Sequence, residues 1–412
     1  MEIPSISQEA LDQATATISE SLPDRTTLTT TNSTPSISVH KIPTPLIDTT
    51  FSTHTNLTTT VLGASILGFS DEYFAAAANL LTPTPAVRKP GVYVHTGAWY
   101  DGWETRRHNR NPFDWVVIKL GCVGVVEGVE VDTSHFNGNE APEAGLEGCF
   151  VAAGSEGGGS SADADADDDR GVADESWDKW EEILPKQACG PSQRQAWKVG
   201  GRGVEGRQWT HLRLKMFPDG GIARLRVYGR VVSPPLPGGT AAAERPLEDL
   251  ASALNGGVAI ECSDQHFGTK SNLVLPGRGK DMGDGWETAR SRVLGHTDWV
   301  IVKLGLRGKS IEKVIVDTKD FRGNFPRAVR VEGWPQEPAK AALSGEQPRA
   351  DQAGWVSLID GEKPCQADTE HVFEGDELVA SVPLEDWVWT HVKMTLIPDG
   401  GVKRLRVMGR RA

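Results

Sequence analysis

The sequence predicts an all-β protein made of two tandem antiparallel sandwiches with little helix. First, several blocks rich in Trp, Asp, Glu and Arg occur twice in the same order along the 412-residue chain. Second, these blocks contain short alternating or Val/Ile-rich runs bounded by Gly and Pro, which are typical of strands. Third, matched blocks lie 180–193 residues apart, so each copy has the size of one domain.

The matched blocks set the domain boundaries. In chain order they read "FSDEYF" and "CSDQHF", "DGWETRRHN" and "DGWETARSR", "DWVVIKLG" and "DWVIVKLG", "VEGVEVDTSHFNGN" and "IEKVIVDTKDFRGN", and "WTHLRLKMFPDGG" and "WTHVKMTLIPDGG". We place the first repeat at 55–232, a Pro/Gly-rich linker at 233–244 and the second repeat at 245–412.

Two further segments are expected to lie outside the sandwiches. Residues 1–54 are rich in Ser, Thr and Pro without a sustained period, which predicts a disordered arm. Residues 152–171 form a Gly/Ser/Asp run, which predicts a solvated loop inserted into the first repeat.

Within the repeats, most elements are predicted strands. "DWVVIKLG" is Val/Ile-rich, "VEGVEVDT" alternates, and two alternating runs flank "PDGG", whose Asp-Gly-Gly suits a hairpin turn. The one good helix candidate is "SDEYFAAAANLL", with Ser70 as its N-cap.

Composition excludes several classes of protein. The formal net charge of −13 and the pI near 5.3 argue against a general nucleic-acid or anionic-membrane binder. The five cysteines are scattered, which argues against a disulfide framework or a structural zinc site and favours a reducing compartment. No apolar run reaches the ~20 residues of a membrane helix, and the N-terminus lacks the apolar core of a signal peptide. We therefore predict a cytoplasmic protein with no nucleic-acid or membrane partner.

The repeated "DGWET" loop carries the first candidate site residues. It presents a carboxylate and a guanidinium suited to a small polar ligand. The alternative is a structural loop in which tryptophan anchors the packing and Glu pairs with Arg. The polar residues retained in both copies are Asp101, Glu104 and Arg107, and Asp284, Glu287 and Arg290.

Further candidates follow the strands. The repeated "DT..F.GN" block supplies Asp132 and Asn139, and Asp317 and Asn324; side chains at a pocket rim and simple turn chemistry are equally open interpretations. In the repeated "WTH" block, His211 alternates with Arg213 and Lys215, which places it on the polar face of the predicted strand. It is a candidate acid or base, and the alternative is a structural histidine that forms hydrogen bonds at the surface or between domains.

Taken together, these blocks resemble the allantoicases, in their fungal form. "GVYVHTGAWYDGWETRRHN", "DWVVIKLG", "VDTSHFNGN", "PGRGKDMGDGWETARSR" and "WTHVKMTLIPDGG" carry the resemblance, which covers about residues 60–412. It implies two jelly-roll sandwiches similar to galactose-binding-like domains, an amidinohydrolase that converts allantoate and water into ureidoglycolate and urea, and a homo-oligomer. A non-catalytic tandem sandwich that binds a sugar or another small ligand is the alternative.

The implied reaction assigns roles to the candidates. Cleavage between the central carbon and nitrogen needs an arginine for the substrate carboxylate, an acid for the departing urea and a base. Catalytic candidates are Glu104, Glu287, His108 and His211. Substrate-binding candidates are Asp101, Arg107, Asp132, Asn139, Arg278, Asp284, Arg290, Asp317 and Asn324. No cofactor is demanded, no metal ligands are assigned, and a divalent metal remains open.

Overall fold

The computed structural model describes residues 36–152, 171–173, 177–236, 245–338, 347–379 and 387–412. The predicted all-β class with two tandem jelly-roll sandwiches is confirmed, because antiparallel strands dominate both repeats. Among the described residues, no helix is long and apolar enough to cross a membrane. The predicted acidic loop at 152–171 lies almost wholly outside the described residues, as does most of the linker.

The strands of the first half, in chain order, are β1 Ser38–Ile42, β2 Thr55–Asn56, β3 Ser65–Phe69, β4 Tyr93–Val94, β5 Gly97–Ala98, β6 Trp103–Glu104, β7 Asp114–Asp132, β8 Glu143–Cys149, β9 Glu181–Ala188, β10 Arg194–Gly200, β11 Trp209–Phe217, β12 Gly221–Ile222 and β13 Arg224–Val231. A short α-helix, α1, spans Ile47–Thr50. Short 3₁₀ helices span Thr44–Leu46, Thr60–Leu62 and Ala77–Leu81.

The strands of the second half are β14 Glu248–Asp249, β15 Val258–Cys262, β16 Phe267–Gly268, β17 Trp286–Glu287, β18 Asp298–Asp317, β19 Ala328–Gln336, β20 Val356–Ser357, β21 Lys363–Pro364, β22 Glu370–Glu374, β23 Val388–Ile397, β24 Gly401–Val402 and β25 Arg404–Arg411. Its 3₁₀ helices span Ala253–Asn255, Lys270–Val274, Met282–Asp284 and Gly375–Glu377.

Each sandwich is organised around one long strand that belongs to both of its sheets. The first part of β7 pairs with β3 and β11, and β8 and β9 extend that sheet. The last part of β7 pairs with β10 and β13, and β1 and β2 form the edges. The apolar side chains of the two sheets face each other across the buried core. "DWVVIKLG" and "VEGVEVDT", predicted as separate strands, are therefore parts of one.

The second sandwich repeats this plan around β18. Its first part pairs with β15 and β23, and its last part pairs with β22 and β25. In the first repeat, β1 pairs along the outer side of β10. The described elements of the second repeat include no equivalent of β1, so β22, which corresponds to β10, lies at the edge of its sheet.

The helix predicted over "SDEYFAAAANLL" is wrong. Ser70–Leu81 does not form the predicted helix, because the amides of Phe74 and Ala75 donate to the backbone oxygen of Glu104, and only Ala77–Leu81 becomes a 3₁₀ helix. Ser70 is not an N-cap; its hydroxyl binds Asp114.

The runs around "PDGG" are strands but not a hairpin. β11 pairs with β7 and β8, whereas β13 pairs with β7 and β2, so the turn carries the chain from one sheet to the other. The disordered arm predicted at 1–54 is also wrong for residues 36–54, because Ser38–Ile42 pairs along β10. Residues 1–35 lie outside the described residues.

Candidate functional site

Three loops meet at one end of the first sandwich. The short strand β6 in the "DGWET" loop pairs with β12, directly after the "PDGG" turn. The ring of Phe136 in the "FNGN" loop packs directly on the glycines Gly221 and Gly102 of the other two loops. A Cβ added to Gly221 would lie 2.2 Å from the ring, and one added to Gly102 would lie 2.7 Å from it, so neither position has room for a side chain. The fully buried Trp103 ties the loop to the Asp71 carbonyl at 2.8 Å. Packing therefore explains the retained Gly, Trp and Phe, but not the polar residues.

Glu104 is the buried acid at this junction, with 7% of its surface exposed. Its Oε1 accepts a hydrogen bond from the Asn139 side-chain amide at 2.8 Å. Burial raises the pKa of Glu104, and the Asn139 amide and the nearby Arg107 charge oppose that rise. A raised pKa favours the protonated form of the carboxyl group, which is the form that can act as a general acid.

Arg107 stands beside Glu104 with its side chain 36% exposed. Its Nη1 donates to Asp219 Oδ1 at 2.9 Å, and its Nη2 donates to the Gly138 carbonyl at 2.9 Å. Asp219 also accepts the His108 backbone amide through Oδ2 at 2.8 Å. The guanidinium is thus held in place, yet it retains an Nε–H and further Nη hydrogens for a ligand. We call Glu104, Arg107, Asn139 and Asp219 the first Glu–Asn cluster.

The second repeat holds an equivalent set, the second Glu–Asn cluster, made of Glu287, Arg290, Asn324 and Asp399. Asn324 donates to Glu287 Oε1 at 2.6 Å, and Arg290 Nη2 donates to the Gly323 carbonyl. Asp399 accepts the Ser291 amide at 2.8 Å. Glu287 is only half-buried, so the two copies differ in the burial of their acid.

The other predicted carboxylates form a separate group. Asp101 accepts Arg224 Nη2 at 2.7 Å and the Val87 amide at 2.9 Å, and these partners lower its pKa against the opposing effect of burial. Asp132 is buried and accepts the Ser134 amide at 2.8 Å. Both carboxylates are occupied in holding the protein's own backbone and side chains.

In the second repeat, the corresponding carboxylates bind more cations. Asp317 forms a bidentate pair with Arg278 at 2.7 and 2.8 Å. Asp284 lies 2.5 Å from the fully buried Lys403 Nζ, which also contacts Asp320 at 3.0 Å. The predicted ligands Arg278 and Asp317 are therefore each other's partners, and the predicted ligand Asp284 is paired with Lys403.

The predicted catalytic histidine His211 is not brought to either cluster. It lies on β11 with Arg213 and Lys215, as expected, but it is buried and its Nδ1 is 2.9 Å from the Thr210 hydroxyl. Six residues of extended strand, roughly 20 Å, separate it from the turn that holds Asp219. Its counterpart His391 is equally buried, and burial together with Lys303 lowers its pKa to about 4.

Comparisons with known proteins identify the family. The allantoicase repeat family matches residues 55–232 and 248–412. The chain is 52% identical over 374 residues to the allantoicase of Neurospora crassa, covering 89% of this chain and 94% of that one. It is 48% identical to the allantoicase of Saccharomyces cerevisiae, covering 84% and 91%.

The chain belongs to the allantoicase family. The crystal structure of the Saccharomyces cerevisiae allantoicase superposes with a TM-score of 0.70 at 41% identity, covering 90% of this chain and all of that one. The resemblance drawn from the repeated blocks is confirmed.

In this allantoicase-family chain, sequence reasoning does not identify several residues of the two Glu–Asn clusters and of the neighbouring ion pairs. Asp219 and Asp399 lie in the repeated "PDGG" block, whose composition predicts only a turn. Arg224 and Arg404 lie in the repeated "RLRV" block. Their repetition was the available signal. Lys403 had no such signal, because Ala223 occupies its position in the first repeat.

The donor set of the clusters does not resemble a metal site. Among the described residues, no group of three or more His, Cys, Asp or Glu side chains could hold a metal ion. Each Glu–Asn cluster combines carboxylates with an amide and a guanidinium. A fixed guanidinium beside the carboxylates favours an anionic group of a ligand over a divalent cation.

Proposed function

We propose that this chain hydrolyses allantoate to ureidoglycolate and urea, a step of purine degradation. The observation that carries the proposal is Glu104, a buried acid with a raised pKa, beside a partly exposed arginine. The family membership of the chain supports the substrate. We place the principal active site at the first Glu–Asn cluster, because its acid is the more buried of the two.

Arg107 is the proposed ligand of the substrate carboxylate. Its position is fixed by Asp219 and the Gly138 carbonyl, so little side-chain freedom is lost when the substrate binds. A bidentate contact would orient the central carbon with one ureido nitrogen toward Glu104.

Glu104 is the proposed acid in the first step. Its carboxyl proton passes to the ureido nitrogen on the central carbon, the carbon–nitrogen bond breaks, and urea leaves. The lone pair of the remaining ureido nitrogen forms the new double bond to carbon. Water then adds to that carbon, Glu104 recovers its proton from the water, and the second ureido nitrogen, which has kept its own proton, recovers its lone pair. The sum is allantoate plus water giving ureidoglycolate plus urea.

The roles of the other predicted residues are revised accordingly. Asn139 positions Glu104 and tunes its pKa. Asp101 and Asp132 support the loops in this proposal and do not hold ureido groups. His211 takes no part, and His108 contributes its backbone amide to Asp219.

The test is urea release from allantoate by purified protein after dialysis against a chelator. Glu104→Gln is expected to lower kcat by about 10²- to 10⁴-fold, whereas the matched variant Glu287→Gln keeps most of the activity. Unchanged activity in Glu104→Gln would remove Glu104 as the acid. Activity that returns only with added divalent metal would contradict a metal-independent mechanism.

The same assay separates the rival function. A non-catalytic sugar-binding protein with this fold would release no urea while remaining folded. The fixed guanidinium and the buried acid favour a charged, reacting ligand over a neutral sugar. A homo-oligomer and a cytoplasmic location are also proposed on the resemblance and the composition; light scattering and cell fractionation test them.

A further inference from the structure

The loop of the first Glu–Asn cluster turns through a left-handed backbone conformation at His108. Its φ angle is +58°, in a region that residues other than glycine seldom adopt. Among the described residues, five that are not glycine have such a positive φ, and four of these form two pairs at equivalent positions of the repeats. The pairs are His135 with Asp320, and Ser192 with Asp368, whose amides donate to the equivalent carbonyls of Phe136 and Phe321. Of the five, only His108 has no left-handed counterpart.

The second repeat shows that the fold does not require this conformation. Its loop passes the equivalent position at Ser291, whose φ is not positive, and the Ser291 amide still donates to Asp399 at 2.8 Å. The His108 amide makes the same hydrogen bond to Asp219, also at 2.8 Å. This bond forms with either backbone conformation, so it does not explain the left-handed turn. A left-handed residue that the fold can do without points to a local role.

The conformation is accompanied by a difference in the preceding arginine. In the first repeat, Arg107 Nη1 donates to Asp219 Oδ1 at 2.9 Å, so one carboxylate holds the guanidinium through one oxygen and the His108 amide through the other. In the second repeat, no ion pair joins Arg290 to Asp399, although the structure describes both residues. The left-handed turn and the arginine–aspartate pair therefore occur together in one loop, and neither occurs in its equivalent.

We propose that His108 is a positioning residue, whose left-handed backbone directs Arg107 onto Asp219 and so aims the guanidinium at the substrate carboxylate. The role rests on the proposed function, in which Arg107 binds that carboxylate. It belongs to the backbone of His108 and not to the imidazole. Histidine suits the position, because His, Asn and Asp adopt the left-handed region several times more often than other residues with a side chain.

The test is a series of substitutions at His108, with KM and kcat measured by urea release from allantoate. The branched side chain of His108→Val opposes the left-handed region, so KM is expected to rise at least about tenfold. The kcat is expected to change by less than about threefold, because the affected contact binds the substrate and the transition state alike. His108→Asn and His108→Gly readily adopt the left-handed region, so they are expected to recover most of the lost affinity.

Two further variants complete the series. His108→Ala is expected to give a KM between those of the Asn and Val variants, which keeps the role testable if His108→Val does not fold. Ser291→Val is the matched control in the second repeat, where the backbone accepts a branched residue, and it is expected to leave KM unchanged. Thermal melting of each variant checks that it is folded.

An unchanged KM in folded His108→Val and His108→Ala would overturn the positioning role. A large fall in kcat in His108→Asn and His108→Gly would overturn it in favour of the imidazole, and a raised KM in Ser291→Val would overturn its assignment to the first repeat. Urea release by the wild type is measured first. Its absence would overturn the proposed reaction and this role with it, whereas an unchanged KM in an active series would overturn the role alone.

Discussion

We expect the titration of Glu104 to determine how kcat depends on pH. Its acid form is the reactive one, so kcat falls as the pH rises through its raised pKa. The Asn139 amide stabilises the carboxylate, so Asn139→Ala raises the pKa further and moves the alkaline limb of the profile to higher pH. Profiles of kcat against pH measure this shift.

The matched control is Asn324→Ala, which removes the same contact in the second repeat. It is expected to leave the alkaline limb in place if the first cluster performs the reaction. A limb that moves to lower pH in Asn139→Ala would contradict the assigned contact. A limb that persists in Glu104→Gln would belong to another group.

Lys403 offers a test of stability at the same scale. Its fully buried ammonium lies between Asp284 and Asp320. Lys403→Ala removes the nearest cation from two partly exposed carboxylates that keep Arg404 and Lys319 nearby, so it is expected to lower the free energy of unfolding by about 1–3 kcal/mol. Chemical denaturation measures the loss.

The first repeat suggests a compensating change, because Ala223 occupies the position of Lys403 and His135 occupies the position of Asp320. The double variant Lys403→Ala with Asp320→His is expected to recover part of the lost stability. A single variant within 0.5 kcal/mol of the wild type would show that the group contributes little.

At the scale of elements, α1 and the residue after it cover one face of the first sandwich. Phe51 is 4% exposed, and it packs on Tyr228 above Gly128. Phe51→Ala is expected to lower the free energy of unfolding by about 3–5 kcal/mol. Leu46→Ala, on the same segment but half-exposed, should change it by less than about 0.5 kcal/mol. Similar losses in the two variants would contradict this packing.

The existence of most large strands could be predicted, but their partners could not. Alternation specifies which side chains share a face, and it carries no information about the neighbouring strand. The runs around "PDGG" therefore gave correct strands and a wrong hairpin. Local preference predicted a helix over Ser70–Leu81, but backbone amides of this segment donate to the carbonyl of Glu104 in β6 instead of forming helical hydrogen bonds.

The site was predicted in part for the same reason. The repeat identified Glu104, Arg107 and Asn139, which the fold brings together. The repeat could not show that Asp101 and Asp132 lie outside this cluster. Side chains at nearby positions of a loop point to different sides once the loop is packed, and the sequence does not specify which side each one takes.

At the scale of the whole molecule, the two repeats share buried surface. Leu62 belongs to the first repeat in sequence, but it packs in the core of the second. Cys122 contacts both cores, and the Lys270 ammonium of the second repeat donates to the Ser52 carbonyl at 3.0 Å. We therefore expect the repeats to unfold together.

Leu62→Ala is the sharpest test of that cooperativity. It should lower stability by about 2–5 kcal/mol and shift one calorimetric transition, although it lies outside the second repeat. Leu57→Ala, in the first core, should shift the same transition. Each calorimetric enthalpy should equal the van't Hoff value. If the repeats were independent, two transitions would separate, Leu57→Ala would lower one melting temperature, and Leu62→Ala would lower the other.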